Sequence, residues 1–197
     1  MNVFRYFLLP MVALLLAACA APPAEPPTIT ARASTLSPRL PKGVMRTDGH
    51  GEILVAAAGQ ARCVPTSPAA AAAALAATNR ARAARGLAPL RTNARLQRAA
   101  EAHACEMAKR GAMTHAGTKT TGPMARAKVQ GYAPRLTAEN IAAGRFDLSR
   151  VLAEWSSSPD HLSNIVISGT QDFGIGQAVA ADGKTTFWAA IYGKPRG

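Results

Sequence analysis

The hydrophobic period of this 197-residue chain changes once, late, from helical to strand-like. Ser67-Pro68 is a helix start, and the alanine-rich run behind it ends at Gly86. Asn93 can cap a second helix running to about Gly111, with Leu96, Ala99, Ala100, His103 and Met107 on its apolar stripe. That position makes His103 a packed histidine rather than a ligand. A short helix is expected over Pro123 to Gln130. Asp147 caps another, whose buried stripe is Leu148, Val151, Leu152 and Trp155, with Ser158 continuing the inward face. Thereafter Phe173 to Val179 and Thr185 to Tyr192 are rich in β-formers, and Asp182-Gly183 between them signals a hairpin. Helices first and strands last restrict the chain to an α+β layered domain, with an antiparallel sheet covered by helices. Gly174 and Gly176 alternate with apolar residues, which allows something to pack closely on that strand. Beyond the N-terminal segment, the aromatic residues start only at Tyr132, so the core is organised around the later segments.

The N-terminus reads differently. Arg5 precedes an apolar run from Phe7 to Ala18, broken only by Pro10, that is too short for a permanent membrane span and has the form of an export signal. Leu16-Ala17-Ala18-Cys19 resembles a bacterial lipobox. Residues 1–18 are therefore expected as a lipoprotein signal peptide, with Cys19 as the acylated first residue of the mature chain and bacterial membrane as its partner. Ala20 and Ala21, in place of aspartate, favour the outer membrane facing the periplasm. Residues 19–67 are rich in proline and small residues and hold no Phe, Trp or Tyr, so they are expected as a tether, leaving 68–197 as the domain. Cys63 and Cys105 remain as an even pair in an exported protein, and a disulfide between them is expected on parity and compartment.

The formal net charge of +12 suits anionic lipid headgroups or cell-wall polymers. Nucleic acid is excluded as a partner by the export signal and by the lack of any binding module. Arg80, Arg82, Arg85, Arg95 and Arg98 read as solvated helix faces, and Glu154 as a surface ion-pair partner of Arg150.

Three polar residues stand in short segments that look built to hold them: His115 in Thr114-His115-Ala116-Gly117, Glu139 in Ala138-Glu139-Asn140-Ile141-Ala142, and His161 in Ser158-Pro159-Asp160-His161. Imidazole with carboxylate is the ligand set of an open zinc site, with His115 and His161 as ligands and Glu139 as third ligand or general base. The same trio can equally be a hydrogen-bonded structural cluster.

These segments, with Asn79-Arg80, Gly86-Leu87-Ala88-Pro89-Leu90, Gly131-Tyr132, Trp155, Asn164-Ile165 and Gly174-Ile175-Gly176, resemble the bacterial branch of the CAP superfamily, or SCP domain, over about Ala70 to Gly193. The resemblance implies an α-β-α sandwich whose cleft holds two histidines and two acids. His115, Glu139 and His161 match three of them. The fourth acid of the eukaryotic branch falls at Ser158, and Asp160 is the neighbouring carboxylate, with capping of the turn after it as its simpler role. Some members hold a divalent metal on the histidines, and others carry lipids in apolar grooves. A tethered binding module for a metal, lipid, peptide or cell-wall ligand is thus expected. A metal-dependent hydrolase, or a scaffold without a ligand of its own, is the alternative.

Overall fold

The computed structural model describes residues 44–197. The export signal, Cys19 and the proline-rich stretch up to Gly43 lie outside them. Twelve elements follow in order: β1 (Val44–Arg46), β2 (Ile53–Leu54), α1 (Pro68–Ala83), β3 (Arg91–Thr92), α2 (Ala94–Arg110), β4 (Ala112–Met113), α3 (Pro123–Val129), β5 (Pro134–Gly144), α4 (Leu148–Ser157), α5 (Pro159–Ile165), β6 (Asp172–Val179) and β7 (Thr186–Pro195). The main sheet runs β1-β5-β7-β6-β3. Its three long strands are antiparallel, while the short edge strands β1 and β3 lie parallel to β5 and β6. β2 and β4 form a separate ribbon.

Local chemistry accounts for most of the boundaries. The Ser67 side chain accepts from the Ala70 amide, Asn93 from the Arg95 and Leu96 amides, and Asp147 from the Arg150 amide. Gly111 closes α2 in the left-handed region at φ 67°. Asp182 accepts from the Lys184 and Thr185 amides in the β6–β7 turn. The first helix runs to Ala83, and a further turn closes at Gly86 in the left-handed region at φ 65°, where the Leu87 amide donates to the Arg82 carbonyl. The Arg82 guanidinium is fully buried and donates to the carbonyls of Ala88, Ile165 and Ile167 and to the Thr170 hydroxyl. Arg82 was expected on a solvated face; instead it ties the loop after α1 to the end of α5 and the loop that follows, a task its rigid fork of donors suits.

Alternation along β7 makes the sheet two-faced. Phe187, Ala189 and Ile191 pack with Leu96, Ala100, Met107 and Ala127 from α2 and α3. Trp188, Ala190 and Tyr192 pack with Ala74, Val151, Trp155 and Ile165 from α1, α4 and α5. The result is the expected three-layer α-β-α sandwich. Gly174 and Gly176 are the points where α2 touches the sheet: a Cβ on either would sit 2.3 Å from helix backbone, at Leu96–Gln97 and Ala100–Glu101 respectively.

Two expectations change. The tether was expected to run to residue 67, but from Val44 the chain belongs to the fold. The backbone of Val44–Arg46 pairs with Leu136–Ala138, and Cys63 is bridged to Cys105 on α2. A segment poor in large apolar residues is ordered here by sheet pairing and a covalent link rather than by its own core, and the 42-residue separation implies about 4 kcal/mol of stabilisation on loop-entropy grounds. In addition, β5 was not anticipated. Thr137, Glu139 and Asn140 are fully buried within it, so it shows no apolar alternation.

Because no flexible side-chain end stands in the way at Gly176, only displaced backbone can make room there. Gly176→Ala is expected to lower unfolding free energy by about 3 kcal/mol, read from urea denaturation.

Candidate metal and ligand cleft

The site forms where β1 stops pairing with β5. Two residues past Arg46, the Asp48 side chain takes over the exposed edge: its Oδ2 accepts the Ile141 amide at 3.1 Å. His115 approaches this carboxylate with Nε2 2.6 Å from Oδ1. The other nitrogen, Nδ1, stands 2.9 Å from Glu139 Oε1. His161, the third residue of α5, brings Nε2 within 3.2 Å of Asp48 Oδ2. His50, on the loop after Asp48, sets Nδ1 3.0 Å from Oδ1 and stacks on His161 with centroids 5.3 Å apart.

His115, Glu139 and His161 therefore lie around one centre, and the carboxylate that joins them is Asp48 rather than Ser158 or Asp160. Ser158 holds the backbone start of α5 and makes no side-chain cap bond. Asp160 lies within the first turn of α5, so it is not the cap of that helix; it lines the outer cleft with Arg46, Thr47, Gly49, His50 and Ser163. That cleft has a volume of about 300 Å³.

Behind the histidines lies Arg126 of α3, which sequence reasoning did not single out. Its Nη1 donates to both oxygens of Glu139, at 3.0 and 2.8 Å, and its Nη2 donates to the His115 carbonyl. The same Nη2 reaches His103 Nδ1 at 3.0 Å, while His103 Nε2 donates to the Thr114 carbonyl at 2.9 Å. His103 is thus a packed histidine, as expected, with both nitrogens satisfied. Two asparagines fix the surrounding backbone. Asn140 donates to the His161 carbonyl, and Asn164 donates to the Glu139 carbonyl and to Asn140 Oδ1. The Glu139-Asn140 and Asn164-Ile165 pairs serve to pin α5 to β5.

Charge follows from these contacts. Burial alone would raise Asp48 and Glu139. Hydrogen bonding by His115, with the His161 ring close by, pulls Asp48 far below the carboxylate range, and the charge of Arg126 lowers Glu139. Burial opposes protonation of His115, but its bonds to Asp48 and Glu139 prevail and raise it to about 9. Burial lowers His103 to about 4. Two carboxylates thus face one guanidinium and one imidazolium, and the buried quartet is neutral. His161 stands apart from this balance. Both of its ring nitrogens are shielded from solvent, and neither has a hydrogen-bond partner, the Asp48 oxygen being near but out of line.

Asp48, His50 and His161 can each offer one ligand atom, all within 4.8 Å of one another. These are nitrogen and oxygen donors of the type zinc accepts. The donor chemistry fits a divalent ion. Asp48 and His50 were missed because they lie in a stretch that looked like linker, although a carboxylate and an imidazole two residues apart in Asp48-Gly49-His50 were the available signal.

A cleft of histidines and carboxylates beside an α-β-α sandwich defines the class of fold to which this chain is compared. Residues 75–192 match the sequence model of the CAP, or cysteine-rich secretory protein, family, and the chain belongs to that family. Comparison with curated protein sequences returns no match. Among solved structures, the fold is similar to an outer surface protein of Borrelia burgdorferi, with 22% identity and a TM-score of 0.59, covering 70% of this chain and 99% of that one. It is also similar to an extracellular SCP-domain protein of Bacillus anthracis, with 21% identity and a TM-score of 0.57, covering 66% of this chain and 45% of that one. Among the described residues, no helix is long and apolar enough to cross a membrane.

Two outcomes follow from the quartet. In metal-free protein His115, raised above its ordinary 6.5, contributes stability that is complete below that value and lost as pH climbs through about 9. His103, held neutral, takes stability away as pH falls from 6.5 towards 4. Urea denaturation across pH, with chelator present, should show a maximum near neutrality and an alkaline loss of about 3 kcal/mol that is absent in His115→Gln. Arg126→Ala should cost about 3 kcal/mol in the same measurement, by removing from buried Glu139 the guanidinium that bonds both its oxygens and leaving His115 on one of them.

Proposed function

We propose that this chain is a tethered extracytoplasmic binding module, anchored to the bacterial membrane by acyl chains on Cys19 and using the cleft beside Asp48, His50 and His161 to hold a ligand. The observation that carries this reading is His161: its ring nitrogens make no hydrogen bond, and the ring stacks on His50, which lines the cleft. The cleft is polar, with Arg46 and Asp160 of opposite charge on its rim, which suits a hydrated cation, a peptide or a wall fragment.

Hydrolysis is less well supported by the same geometry. A metal-dependent hydrolase needs a base near its bound water, and Glu139 is fully buried with both oxygens on Arg126. Ser158 lacks activation, since neither nitrogen of His161 makes a hydrogen bond. A pure scaffold leaves the unpartnered imidazole unexplained. A second ligand class is favoured by a separate feature, an apolar groove of about 640 Å³ between α1 and α4 lined by Ala73, Ala77, Ala81, Leu148 and Leu152, with Arg80 at its side. That composition suits a lipid chain with an anionic head.

Cys19→Ala should move the protein from the membrane to the soluble fraction. The chain from Ala20 onward should gain thermal stability with a divalent cation, or with soluble peptidoglycan fragments, and the gain should disappear in His161→Ala. A ligand present at a hundredfold over its dissociation constant adds about 2.7 kcal/mol. Absence of any shift across cations, wall fragments and peptides would reject the cleft as a binding site.

A further inference from the structure

The resemblance implies a metal on His115 and His161, but the geometry around His115 does not suit that role. Both of its nitrogens face carboxylate oxygens, at 2.6 and 2.9 Å, and an imidazole bonded at both nitrogens to acceptors carries two protons and no free lone pair. Freeing it for a metal would also strip Asp48 and Glu139 of a shared cationic partner in a buried setting. His50 and His161 make no such demand. His161 donates to nothing. His50 is 41% exposed at its side chain, lies on a loop and can turn at little cost.

We propose that a divalent transition-metal ion, zinc in chemical type, is held by Asp48, His50 and His161, with His115 outside the coordination sphere as the hydrogen-bond donor that orients the ligating carboxylate. This deepens the binding-module reading and rests on it. Three protein ligands would leave a further coordination position for water or a ligand oxygen, and Asp48 and His50 line the cleft together with Arg46, Asp160 and Ser163. Asp48 has the hydrogen bonds expected of a ligating carboxylate, the Ile141 amide on one oxygen and His115 on the other. Two of the three ligands come from the segment ahead of α1 and one from α5, so the ion joins the start of the fold to its far layer.

The chain has four histidines, His50, His103, His115 and His161, which makes a spectroscopic test tractable. Tag-free protein from Ala20 onward, labelled with ¹⁵N-histidine, is titrated with zinc while long-range ¹H–¹⁵N spectra follow each imidazole. The expected result is coordination shifts on one nitrogen each of His50 and His161, with His115 still protonated at both nitrogens and His103 unmoved. By calorimetry His50→Ala should weaken zinc binding by at least tenfold, and its exposed loop position leaves folding intact. Zinc shifts on His115 in place of His50, or equal affinity in His50→Ala, would overturn the assignment while leaving the cleft a binding site. Absence of zinc binding up to millimolar concentration would also overturn it, and the binding reading would then stand or fall on the wall-fragment and peptide measurements.

Discussion

The Asp48 carboxylate is the interaction on which the rest of the site depends. Just past the pairing of β1 with β5 it accepts the Ile141 amide of β5, and it serves as anion for His115 from the loop before α3 and for His161 from α5. A sheet edge presents unpaired backbone groups that must be covered, and covering one with a carboxylate rather than a further residue of strand places a negative charge at a fixed point on the rim. His115 and His161 then have a common partner although their elements lie on opposite faces.

The electrostatics divide the cluster into a closed part and an open part. Arg126, Glu139, His115 and Asp48 form a chain in which each buried charge has an opposite neighbour, the condition under which such groups are tolerated in an interior. His50 lines the cleft, and the ring nitrogens of His161, stacked on it, make no hydrogen bond. The trio of His115, Glu139 and His161 is thereby divided, with His115 and Glu139 inside the closed part and His161 outside it.

Much of the fold was legible because its helices and its C-terminal hairpin carry their own signals. The caps at Ser67, Asn93 and Asp147 and the turn at Asp182-Gly183 act where their residue types predict. What failed to show were elements stabilised from elsewhere. β5 buries Thr137, Glu139 and Asn140, so its pattern is set by the cluster it serves rather than by an apolar face. Arg82 and Arg126 look like surface cations until the carbonyls and the carboxylate that surround them are known. Asp48 is the extreme case, since its role depends on a strand almost a hundred positions further on.

The family match begins at residue 75, whereas Asp48, His50 and Cys63 all precede it. An acid absent at Ser158 is thus compensated by a residue that the shared part of the chain does not contain. Inventories of cleft residues drawn only within residues 75–192 would count this chain as one carboxylate short, and a protein trimmed to those boundaries would lose the anion that its two cleft histidines share together with the Cys63 bridge.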